Sequence, residues 1–183
     1  MAKKIKLDLH THPIEALKDR MGIKGIGDIN AEVALAIVKA IKSAGLNGIA
    51  ITEHNNFNHS WVAALEILDH YYKENLFIFP GAEIDYGGQQ FLQIYIPDYY
   101  RRRIPFFSGK EWFLILAHPG YYNPLDAKEY DQAVFDAVEE ASLHGVFTSA
   151  REISRDRNIP SIMASDAHQL EDIGKFFTEF ELR

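Results

Sequence analysis

Asp8-Leu9-His10-Thr11-His12 is the stretch that decides how this chain is read. It closes an apolar run from Ile5 to Leu9, interrupted only by Lys6 and Asp8, with the length and composition of a short buried β-strand. Side chains alternate along a strand, so residues two apart project to one side. If the extended backbone continues that far, His10 and His12 point the same way and can grip one metal ion. The plain alternative is two ordinary polar residues at a strand end, and the rest of the chain decides between them.

Working outward, the same arrangement recurs. Asn30 is placed to cap a helix over Glu32 to Ala44, with Val33, Ile37, Ala40 and Ile41 at helical spacings and Gly45 as its stop. Gly48 to Ile51 reads as a buried strand ending at Thr52-Glu53-His54. A helical pattern from His59 to Glu74 leads to a strand over Leu76 to Phe79, which runs into Pro80-Gly81-Ala82-Glu83. Gly87-Gly88 reads as a hairpin turn before a fourth strand, Phe91 to Ile96, and a fifth, Phe113 to Ala117, ends at His118-Pro119-Gly120. Leu125 to Phe135 fits a short helix, and Ala137-Val138-Glu139 fits either its continuation or a sixth strand. Ser149 to Arg157 reads as helix, and Ser161 to Ala164 as the last strand, ending at Ser165-Asp166-Ala167-His168. Pro13 to Asp28 and the stretch around Arg101-Arg102-Arg103 read as irregular connections.

Alternating strands and helices predict an α/β fold with a largely parallel sheet of about seven strands. Nearly every strand ends in ionisable side chains: His10 and His12, His54, Glu83, His118, Asp166 and His168. In α/β barrels the C-terminal strand ends converge on one mouth, which favours a barrel with a central site over an open sheet. Taken singly, each of these residues could be a cap, a turn residue or a solvated carboxylate. Together they form an imidazole and carboxylate set suited to Zn²⁺, Mn²⁺ or Fe²⁺. His59, His70 and His144 read as structural or solvent-exposed. Arg101, Arg102 and Arg103 are either a solvated basic loop or, if that connection reaches the mouth, guanidinium forks for a phosphate.

The 183 residues are expected to form one domain, 1–183, with an ordinary soluble composition of 47% hydrophobic and 25% charged residues. There is no cysteine, which excludes disulfides, thiolate metal sites and thiol nucleophiles. A formal charge of −7 argues against a general nucleic-acid surface, although a nucleotide or short oligonucleotide held through metal remains open. Met1-Ala2-Lys3-Lys4 is followed by no long apolar segment, and no run is long enough to span a membrane, so a cytoplasmic enzyme is the expectation.

The five segments Asp8-Leu9-His10-Thr11-His12, Ile51-Thr52-Glu53-His54, Gly81-Ala82-Glu83, Ala117-His118-Pro119-Gly120 and Ser165-Asp166-Ala167-His168 resemble, in order, the motifs of the PHP (polymerase and histidinol phosphatase) family. The resemblance runs from about residue 5 to residue 175. It implies a distorted seven-stranded (βα) barrel, with a centre of two or three divalent metal ions (Zn, Mn or Fe) at the C-terminal strand ends. It also implies that His10, His12, Glu83 and Asp166 hold a first metal, that Glu83 bridges to a second bound also by His118, and that His54 and His168 belong to a third. His10, His12, Glu83, His118, Asp166 and His168 are then the expected catalytic residues. Family members often carry another histidine in the strand after the glutamate, where this chain has Gln93. Glu15 and Asp19 are the nearby acids after the first motif. The activity implied is hydrolysis of a small phosphomonoester or nucleotide-type phosphoester by metal-activated water. Two alternatives stay open: an amidohydrolase-type C–N hydrolase, and a non-catalytic metal-binding module serving a partner. Substrate and oligomeric state are not legible.

Overall fold

The computed structural model describes residues 3–122 and 134–183. The helix expected over Leu125 to Phe135 lies, but for its last two positions, outside the described residues. The elements are β1 (Lys3–Thr11), α1 (Pro13–Met21), α2 (Ala31–Ser43), β2 (Gly48–Ile51), α3 (Phe57–His70), β3 (Phe77–Tyr86), β4 (Gln89–Tyr95), α4 (Asp98–Arg103), β5 (Trp112–Leu116), β6 (Ala137–Ser142), β7 (Gly145–Val146), α5 (Thr148–Arg157), β8 (Ser161–Met163) and β9 (Thr178–Leu182). Eight strands follow the order β7-β6-β5-β4-β3-β2-β1-β9, and β8 pairs with β6 off that path. Among the described residues no helix is long and apolar enough to cross a membrane.

The fold is α/β with a curled, mixed sheet. β1, β2 and β3 run parallel, as do β5 with β6 and β6 with β8. The largely parallel expectation fails at β4, which is antiparallel to both neighbours. Only the two-residue Gly87-Gly88 turn separates β3 from β4, and a parallel connection needs a dozen residues or more. Both glycines have positive φ, 63° and 78°, as such a turn requires. β9 adds an antiparallel edge to the first half of β1.

Two apolar layers hold the sheet. Ile5, Leu7, Leu9, Phe79, Leu92, Ile94, Ile115 and Ile162 fill the concave interior together with Phe107 and Phe180. On the outer face, Ile49, Ile51 and Ile78 pack against α1, α2 and α3 through Leu17, Val33, Ile37, Ile41, Ala63 and Ile67. Asn30 caps α2 as expected, its Oδ1 accepting from the N–H groups of Glu32 and Val33.

α1 occupies a stretch that has no legible period. It begins at Pro13, a favoured first helical position, and its first N–H groups are satisfied from a distant strand end. The Glu53 carboxylate accepts from Ile14 N at 2.7 Å and from Glu15 N at 3.1 Å. The residues after β8 cross the mouth of the curl. Ala164 N donates to Ala141 O of β6, Asp166 N donates to His10 O, and His12 N donates to Ala167 O. Asp8, fully buried in β1, fastens the same crossing by accepting from Ser165 N, Ser165 Oγ and Gly174 N.

Candidate metal centre

Alternation alone would turn His10 away from the interior, because Ile5, Leu7 and Leu9 already face it. The pairing of β1 with β2 shifts register between Asp8 and Thr11. Irregularities of this kind re-aim side chains. Past it, both His10 and His12 reach the same acidic cluster. Glu83 lies on β3 on the inward face shared by Phe77 and Phe79, and an isolated bridge pairs it with His54, just beyond β2. His118 and Asp166 follow β5 and β8 in the left-handed region, at φ 25° and 55°. Such conformations persist in non-glycine residues only where the surroundings hold them.

The resulting distances are short. His10 Nε2 lies 3.5 Å from Glu83 Oε1 and 3.3 Å from Asp166 Oδ1. His12 Nε2 lies 3.4 Å from Glu83 Oε2 and 3.3 Å from Asp166 Oδ1. His118 Nε2 lies 2.8 Å from Glu83 Oε1, and His54 Nε2 lies 3.0 Å from Glu83 Oε2. His168 Nδ1 is 3.6 Å from Asp166 Oδ1. The His12 ring stacks at 4.3 Å on both His54 and His168. His10, His12, Glu83 and Asp166 form one group of buried ligand atoms that could hold a metal ion, and His12, Glu15, His54 and His168 form another. The structure thus gathers His10, His12, His54, Glu83, His118, Asp166 and His168 at one mouth.

The electrostatics of the cluster are unusual. Among the described residues, Glu83, Asp166 and Glu139 ion-pair with histidines and with no lysine or arginine. Burial opposes charge on Glu83 and Asp166, but the surrounding histidines, His10 foremost, hold both carboxyls well below the usual range. Burial also opposes a charged His10, yet Asp166, Glu83 and Glu139 together raise it well above an ordinary imidazole. His12, by contrast, is pushed down to about 4, chiefly by burial. His54, hydrogen-bonded to Glu15 and Glu83, is raised to about 10. Nε2 of His10, both ring nitrogens of His12 and Oδ1 of Asp166 are buried without a hydrogen-bond partner. Buried polar atoms are normally satisfied, and a divalent cation between them fits His10 Nε2, Asp166 Oδ1 and one of the two His12 ring nitrogens.

Three residues join the site that the sequence reading left aside or undecided. Glu139, on the inward face of β6, receives His10 Nδ1 at 3.1 Å on Oε1 and the His118 N–H at 2.8 Å on Oε2. Its signal is its place two residues after Ala137, on the same strand face, legible once the segment is taken as strand. His144, expected to be structural or exposed, places Nε2 at 2.9 Å from Asp166 Oδ2. Glu15 reaches His54 Nδ1 at 2.9 Å because α1 begins at Pro13, whereas Asp19, one turn on, belongs to neither group. Gln93 is not positioned to stand in for a histidine. Glu83 pairs directly with Leu92, so Gln93, opposite Ala82, lies on the other face of the sheet.

Arg101, Arg102 and Arg103 are not brought to this mouth. They form the last turn of α4, where Arg101 and Arg102 pair with Asp98 and the Arg103 guanidinium lies 5.5 Å from the Phe77 ring. Phe77 opens β3 and precedes Glu83 by six residues, about 20 Å along the strand at a rise of roughly 3.3 Å per residue, so Arg103 lies at the opposite end of β3 from the cluster.

Residues 148–183 match a family model described as PHP-associated. No curated protein matches the sequence. Solved structures share the fold, three crystal structures among them. One is a two-domain protein from Bacteroides vulgatus containing a predicted PHP-like metal-dependent phosphoesterase, 19% identical, with a TM-score of 0.62 over 92% of this chain. The chain spans about half of that protein's length, 53%. PsfC from Pseudomonas syringae is 16% identical with a TM-score of 0.67, covering 99% of this chain and 83% of its own. A candidate metal-dependent phosphoesterase from Bifidobacterium adolescentis is 14% identical with a TM-score of 0.60, covering 94% and 92% respectively. These likenesses bear out the resemblance to PHP proteins.

Proposed function

We propose that this PHP-like chain is a metal-dependent phosphoesterase that hydrolyses a small phosphomonoester or nucleotide-type phosphoester with an activated water. The observation that carries the reading is the convergence of buried, unpartnered ligand atoms on His10, His12 and Asp166 around Glu83. In this reading His10, His12, Glu83 and Asp166 hold one divalent ion. Glu83 is shared with a second held by His118, with His144 beside it, and His54, His168 and Glu15 serve a third. Zinc, manganese and iron all suit such nitrogen and oxygen donors. Bound ions would bring a water's pKa towards neutrality and offset charge on the phosphoryl oxygens and leaving group.

The chain's own contribution is orientation. Glu139 takes the Nδ1 side of His10 and so directs Nε2 into the centre, as carboxylates behind metal-binding histidines do. The ring β1-β2-β3-β4-β5-β6-β8, drawn together by the Asp166 and Ala167 hydrogen bonds to β1, supports a distorted seven-stranded barrel as the scaffold.

The test is turnover of p-nitrophenyl phosphate after loading with Mn²⁺, Zn²⁺ or Fe²⁺, beside a panel of cyclic amides. Metal-dependent phosphoester hydrolysis is expected, with Glu139→Gln lowering activity or metal affinity about 10- to 100-fold. Turnover of the amides alone, or of nothing under any metal, overturns the proposal.

A further inference from the structure

With the arginines of α4 at the far end of the strands, anion recognition at the mouth has to come from other cations. A cavity of about 150 Å³ opens beside the cluster, and Glu15 and His54 form its wall on that side. The rest of its rim carries Lys18, Lys24, Asn56 and His59. Each basic group is delivered by a defined piece of the fold. Lys18 lies in the last turn of α1, and His59 in the first turn of α3, its N–H donating to Asn56 Oδ1. Lys24 sits in the turn after Gly22, where Asp28 Oδ2 accepts from the N–H groups of Lys24 and Gly25 and the buried Ile23 anchors the loop.

Among the described residues, neither lysine ammonium is in a salt bridge, and the His59 ring has no hydrogen-bond or ion-pair partner. The three acids near the cavity are already engaged: Glu15 by His54, Glu53 by the backbone N–H groups that open α1, and Asp28 by the Lys24 and Gly25 N–H groups. The uncommitted groups of the rim are therefore cationic or hydrogen-bond donors, on a chain whose formal charge is −7. The cavity is too small for a whole drug-sized ligand, which takes roughly 300 Å³ or more. It suits one compact anionic group.

Resting on the phosphoesterase reading, we infer that Lys18, Lys24, His59 and Asn56 form a subsite for a second phosphoryl group, so that the preferred substrate is a bisphosphate. Two ammonium groups, an imidazole and an amide offer donors from several directions, which matches a tetrahedral dianion better than a planar carboxylate. The ester to be cleaved lies at the Glu83 cluster, and the distal phosphate is anchored at the rim.

The experiment compares ethanediol, propanediol and butanediol bisphosphates with their monophosphates on the metal-loaded protein, by calorimetric binding and by KM and kcat. At least one bisphosphate should bind about tenfold or more tighter than its monophosphate, the range expected of charge-assisted hydrogen bonds. Lys18→Ala/Lys24→Ala should erase that preference and leave p-nitrophenyl phosphate turnover within about twofold, whereas Lys18→Arg/Lys24→Arg should retain it. A wild-type protein that binds no bisphosphate better than its monophosphate overturns the inference, as does an alanine double variant that keeps the preference. Tight, lysine-dependent bisphosphate binding without hydrolysis would uphold the subsite and remove the phosphoesterase reading instead.

Discussion

At the scale of single residues, the candidate ligand set was legible because its members stand at strand ends in the sequence itself. His10, His12, His54, Glu83, His118, Asp166 and His168 all occupy one mouth in the structure. Glu139 and His144 were not legible. Glu139 lies in the middle of a segment open to either helix or strand, and His144 lies in a turn whose proximity to Asp166 is set by β6 and β7. Glu53 shows the same limit from the other direction. In the sequence it is a polar residue beside His54, yet it is buried and caps a helix that begins 40 residues earlier. Burial raises its carboxyl to about 8, with Glu15 adding to the shift against the opposing backbone hydrogen bonds. A folded-state value above the ordinary 4.5 means that the stability tied to its protonation is present below pH 4.5 and is lost as pH rises through 8. Glu53→Gln removes that titration. In chelator-treated protein its stability should fall less than wild type between those limits, by more than about 1.4 kcal/mol, the equivalent of one pKa unit. Parallel pH profiles from thermal melts would show that Glu53 is not held protonated.

At the scale of elements, periodicity found α2, α3 and β2 and placed most strand ends within a few residues. It missed α1, whose start is satisfied by Glu53 rather than by a local cap, and β9, whose place is set by pairing with β1. The hairpin turn read at Gly87-Gly88 did give β4 its antiparallel direction, because direction follows from the connection and not from the strand's own residues. Close approach at β2 is the sharpest local constraint. A Cβ on Gly48 would meet the Phe77 carbonyl oxygen at 1.9 Å, and the obstacle is backbone of the neighbouring strand. Gly48→Ala should therefore cost about 3 kcal/mol or more, the upper range for overpacking. For a chain of this length that lowers Tm by about 6 °C or more. Gly27→Ala, where an added Cβ meets nothing within 4 Å, is the control and should shift Tm little. Equal behaviour of the two variants would mean that β2 and β3 are not packed as described.

At the scale of the whole molecule, the curled sheet separates two kinds of interior. One end is filled with apolar side chains, among them Phe79, Phe107 and Phe113, and the other holds buried carboxylates with histidines as their only ionic partners among the described residues. An acidic chain that concentrates the buried carboxylates of Glu83, Asp166 and Glu139 at one mouth offers a place for positive charge, which a bound divalent cation would supply. The most direct measurement is metal content per chain by elemental analysis, after reloading with Zn²⁺, Mn²⁺ or Fe²⁺ and removal of excess, for wild type and Asp166→Asn. At least two equivalents are expected in the wild type and a clear loss in the variant. A wild-type chain that retains no metal, folded and reloaded, would contradict that expectation.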